Sequence, residues 1–139
     1  MRIPFVILIA CSVNLGCGSS SPFDYVPVSG TVKYEDGSSI PGGCRLVFTA
    51  QDVAPVGNAH PRPAMAYVDA NGNFDCVTSY KYRNGLIPGK HKVVIQAAAD
   101  RATKPVVPKE YSSAQKTPLV IDTEDAPLEI KVPKPKAGR

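Results

Sequence analysis

The sequence predicts an all-β protein, a seven-stranded antiparallel β-sandwich, and three observations predict it. Fourteen Pro and eleven Gly punctuate the 139 residues too often for long helices. Between them lie short runs rich in Val, Ile, Tyr, Phe and Thr, residues that suit a half-buried pleated surface. Seven such runs are separated by turn signals, and several alternate apolar and polar residues with period two, as strands of packed sheets do.

The first strand carries Val26, Val28, Gly30, Val32 and Tyr34 on one face and Ser29, Thr31 and Lys33 on the other. A turn at 35–39 reverses the chain, and Pro41-Gly42-Gly43 leads into a second strand with Cys44, Leu46 and Phe48 inward and Val47 outward. After a Pro-rich loop at 54–63, the third strand, 64–69, joins the fourth, 74–79, through Asp69-Ala70-Asn71-Gly72-Asn73. Its Asn-Gly pair suits the positive φ of a tight hairpin. Alternation then turns Cys76 inward. The fifth strand starts at Pro88-Gly89 and points His91, Val93, Ile95 and Ala97 to the core. A loop of about twenty residues, long for a compact domain, precedes the last two strands, 119–122 and 128–132. The sandwich therefore spans 26–132, and 133–139 reads as a solvated basic Pro/Lys tail.

Ahead of the sandwich the chain reads as an export signal. Met1-Arg2 is a minimal positive segment, and 3–13 is an apolar run of signal-peptide length, too short to span a membrane. Asn14-Leu15-Gly16-Cys17 follows, then Gly18-Ser19-Ser20-Ser21-Pro22, so a small residue precedes a Cys and a flexible stretch succeeds it. This resembles a bacterial lipobox, whose Cys receives a diacylglycerol thioether and becomes the new N-terminus. The reading is a signal peptide over 1–16, then acylated Cys17 and a tether over 17–25. Cys11 is the alternative, because Leu8-Ile9-Ala10-Cys11 supplies the aliphatic residue that Asn14 replaces. Cleavage there leaves a short signal with a truncated apolar run. A simple secretory signal or a buried N-terminal strand are the remaining readings. The lipid anchor would hold the domain on the cell membrane or outer membrane, facing periplasm or exterior.

A net charge of +4, evenly spread, points away from nucleic acid. Catalysis by acid and base needs a nucleophile with a base or paired carboxylates, and the two histidines, His60 in a loop and His91 in a strand, form no triad. Asp69, Asn71, Asn73 and Asp75 alternate like the start of a calcium loop. Gly72 is out of place for one, and Tyr80 stands where a bidentate Glu belongs, so a turn is expected and no metal or other cofactor. Cys44 and Cys76 are the two cysteines able to pair in an exported domain, and whether they bond or stay buried thiols is left open. Tyr80, Tyr82 and Arg83, with Lys81 between the tyrosines, are the candidate ligand contacts, since they offer stacking faces and hydrogen bonds to a sugar or peptide. The bland reading of that segment is a decorated turn.

Val28-Ser29-Gly30-Thr31-Val32, Asp36-Gly37 through Ile40-Pro41-Gly42, Asp69 to Phe74, Pro88-Gly89-Lys90-His91-Lys92-Val93 and Val107-Pro108-Lys109-Glu110-Tyr111-Ser112 fall in order along the chain. Together they resemble the carboxypeptidase regulatory-like, or transthyretin-like, domains of small bacterial lipoproteins, over about 26–132. The resemblance implies a prealbumin-like Greek-key sandwich that serves as a non-catalytic accessory module and shares its architecture with folds that bind carbohydrate. His91 stands where that family usually carries Tyr. Some transthyretin-like proteins are hydroxyisourate hydrolases with a Tyr-Arg-Gly-Ser type C-terminus. This chain reads Pro-Lys-Ala-Gly-Arg there, so that enzyme is not expected. The expectation is a non-enzymatic, lipid-anchored envelope protein whose sandwich is a structural or protein-interaction module, its partner an envelope protein. The alternative is a carbohydrate-binding module facing a polysaccharide, which the absence of Trp weakens.

Overall fold

The computed structural model describes residues 21–98 and 104–136, so Cys11 and Cys17 lie outside the described residues. Seven strands form two open sheets: β1 (Gly30–Tyr34), β2 (Cys44–Ala50), β3 (Ala64–Val68), β4 (Asn73–Phe74), β5 (Lys90–Ala97), β6 (Val120–Asp122) and β7 (Leu128–Val132). One sheet runs β4-β1-β7 and the other β3-β2-β5-β6. The only helical turns among the described residues are short 3-10 pieces such as Lys109–Ser112.

The alternation seen in the sequence is what closes the core. Val32 and Tyr34 from β1, Phe74 from β4 and Leu128, Ile130 and Val132 from β7 meet Cys44, Leu46 and Phe48 from β2 and Val93 and Ile95 from β5 in one buried cluster. Each strand thus lends one face, and both sheets cover the same apolar interior. The register of β2 is as expected, with Phe48 fully buried and Val47 only half-buried.

Three expectations are corrected. The strands are not all antiparallel, because β1 and β7 pair in parallel, Gly30 beside Leu128 through Tyr34 beside Val132. The chain crosses from β6 to the other sheet through 123–127, so β7 enters beside β1 in the same direction; period-two patterning carries no information on direction. Gly30 permits the approach, since a Cβ there would lie 2.3 Å from the Leu128 carbonyl oxygen.

The second correction concerns 74–79. Asp69 Oδ1 accepts the backbone N–H groups of Asn71 (2.9 Å) and Asn73 (2.8 Å), and Gly72 takes φ +86° with its carbonyl on Val32 N–H, so the turn forms where expected. Its two flanks, however, belong to different sheets. After pairing with β1, the chain leaves at Asp75 and returns at Thr78 to exchange two hydrogen bonds of 2.8 Å with Met65 on the outer edge of β3. The third correction follows from this bend. Cys76 is only half-buried, whereas Cys44 and Val77 fill the core.

Both ends of the domain are held down. Pro22, Phe23 and Tyr25 from the expected tether lie along the loop at 58–63, and Val26 bridges to Leu86. After β7, the Lys134 ammonium pairs with Asp36 and sits over the Tyr34 ring, while the Tyr34 hydroxyl donates to Val106 O at 2.7 Å.

Candidate binding site

Tyr80, Tyr82 and Arg83 occupy a tight loop built by local hydrogen bonds. Ser79 N–H donates to Asn84 Oδ1 at 2.9 Å, Gly85 N–H to Val77 O at 2.9 Å and Arg83 N–H to Thr78 Oγ1 at 3.1 Å. Arg83 is left-handed, with φ +60°, a conformation that costs a residue with a Cβ about 1 kcal/mol. The surrounding bonds hold it there, and the guanidinium reaches back to Asp75, Nη2 to Oδ2 at 3.0 Å.

The loop does not put the three residues in one place. Tyr80 lines a cavity of about 340 Å³ with Phe23, Tyr25, His60 and Arg62, whose guanidinium lies 5.4 Å from the Tyr80 ring centre. Tyr82 and Arg83 line a second cavity, of about 360 Å³, with Met65, Tyr67, Asp75 and Cys76. This second groove is created by the detour at 75–77, which stands the chain off from β3 between its contacts at Met65 and Asp69.

Within that groove Tyr82 and Tyr67 are 79% and 73% exposed, so two aromatic faces stand open at its rim. The Arg83 guanidinium lies 5.9 Å from the Tyr82 ring centre. Because Met65 turns its N–H and C=O toward Thr78, strand alternation turns those of Tyr67 to the same edge, where no described residue pairs with them. Tyr67 escaped the sequence reading, although an aromatic at an outward position between Ala66 and Val68 was the available signal.

Partial burial, and then the neighbouring Asp75 carboxylate, raise the Cys76 thiol above its ordinary pKa against the opposing pull of Arg83, so it stays protonated at neutral pH. A hydrogen bond from Cys76 and the Arg83 ion pair lower Asp75, which is therefore a carboxylate. Cys44 is free, buried in the core and pushed up to about 12 by that burial; Cys76 is free at the surface groove. His60 is exposed and His91 is buried, in separate parts of the molecule. Asp69 is engaged by the turn and Asp75 by Arg83, and among the described residues no three His, Cys, Asp or Glu side chains converge.

No protein-family model matches the chain, nor does any curated protein or solved structure.

Proposed function

We propose that the chain is a non-enzymatic, lipid-anchored protein of the cell envelope whose sandwich serves as a protein-interaction module. The observation that carries this reading is the groove beside β3. It offers the Tyr67 and Tyr82 rings, an Arg83–Asp75 pair and the Tyr67 N–H and C=O, which no described residue pairs. A peptide seated in the groove can bond the Tyr67 N–H and C=O with its main chain and set its side chains against the two rings. The anchor reading rests on the run from Met1 to Cys17, and the prealbumin-like Greek-key reading on the ordered motifs together with the two-sheet arrangement of three and four strands.

A second reading, a carbohydrate-binding module, is favoured by the same two exposed tyrosines, because sugar rings stack on aromatic faces. Capture from envelope extract, run beside a glycan array, separates the two. The first reading expects a protein captured by the wild type and lost with Tyr67→Ala or Tyr82→Ala. Glycan capture that depends on those tyrosines replaces it with the second.

A further inference from the structure

β7 is the terminal strand of its sheet, paired with β1 along one edge and, among the described residues, with no strand along the other. Register decides which backbone groups face that open edge. Leu128 N–H donates to Ser29 O at 2.9 Å and Val132 O accepts from Glu35 N–H at 3.0 Å, so Leu128, Ile130 and Val132 bond to β1. Glu129 and Lys131 therefore turn their N–H and C=O outward, and no described residue pairs with these groups. Their side chains are exposed on the outer face, and an open groove of about 430 Å³ separates this edge from β6.

We propose that this edge pairs with β7 of a second copy of the chain, the two strands running antiparallel about a two-fold axis at Ile130. In that register Glu129 of each copy lies opposite Lys131 of the other. The residues with outward groups then meet each other, each pair exchanges both of its N–H···O bonds, and its side chains carry opposite charge at cross-strand distance. A slip of one residue sets outward groups against inward ones, and a slip of two opposes Glu129 to Glu129 or Lys131 to Lys131, so the sequence favours a single register. The antiparallel direction also brings Glu124 and Asp125, exposed before β7, toward Lys136, exposed after it, in the other copy. Charges on an edge strand commonly discourage pairing. Here their alternation in sign makes the edge complementary to itself.

Sedimentation velocity over a concentration series tests this, with the purified protein in excess detergent so that shared micelles do not join copies. A dimer is expected, with Glu129→Lys and Lys131→Glu each raising its dissociation constant on the order of tenfold. The double variant restores it, and so does an equimolar mixture of the two single variants, because both recover opposed charges. In the wild type, amide exchange at Glu129 and Lys131 slows as the protein is concentrated, a readout that needs no variant. A monomer at every concentration overturns the proposal. So does a dimer indifferent to both charge variants with unchanged exchange at Glu129 and Lys131, which would put the contact on another edge.

Discussion

His91 is a basic group held neutral inside the sandwich, and stability should report it. The residue is 3% exposed, its ring set edge-on to Phe48 with centroids 6.5 Å apart. Nε2 lies 2.8 Å from the Ile87 carbonyl oxygen and so must carry the proton, which leaves Nδ1 as a buried acceptor without a partner. Protonating Nδ1 would bury a charge, and that desolvation lowers the pKa below the ordinary 6.5 against weaker opposition from the Ile87 carbonyl and Asp122. Above pH 6.5 the folded and unfolded states are both neutral at this residue, so it contributes no slope. As pH falls through 6.5 the unfolded chain takes up a proton that the folded state refuses, and stability is lost at up to about 1.4 kcal/mol per pH unit until the folded pKa is reached. Urea unfolding between about pH 7.5 and about pH 5 measures that slope. His91→Phe, which keeps a ring against Phe48, should flatten it. Equal slopes in the wild type and His91→Phe would refute the reasoning.

Three further outcomes are expected. Phe48→Ala should destabilise the domain by about 3–5 kcal/mol and Val47→Ala by less, read from urea midpoints, since only the first empties fully buried volume. Alkylation of the native protein without reductant should modify Cys76 slowly and spare Cys44, with the second alkyl group gained only on denaturation; intact mass reads both steps, and a domain that gains neither group even when denatured would reveal a bond between them. Cys17→Ser should abolish labelling by an alkyne fatty acid and release the protein from membranes, and label that is lost instead with Cys11→Ser would move the anchor to Cys11.

Much of the fold was legible because burial writes itself into alternation. Val32 and Tyr34, Cys44 with Leu46 and Phe48, and Val93 with Ile95 all face the core as their period implies. What alternation cannot record is which sheet a strand joins and in which direction. That is why β7 proved parallel to β1, and why the run at 74–79 proved to serve two sheets in turn. The same detour explains the site. Tyr82 and Arg83 were visible as a polar aromatic segment, but their partner Tyr67 sits on a different strand, and only the bend at Asp75 and Cys76 opens a groove between them. Tyr80 was grouped with Tyr82 by nearness in sequence, whereas the loop places the two rings in separate cavities.

The parallel pairing of β1 with β7 bears on how the domain is made. Among the described strands β1 comes first in the chain, and its lengthwise partner β7 comes last. Until β7 arrives, β1 is paired along one edge alone, by β4 and by the Lys33–Ser39 bridge, so its other edge waits unprotected. The second sheet, by contrast, assembles from β2, β3 and β5 in quick succession. Loop closure across the span from β1 to β7 therefore waits for β7, which favours late, all-at-once folding of this sheet.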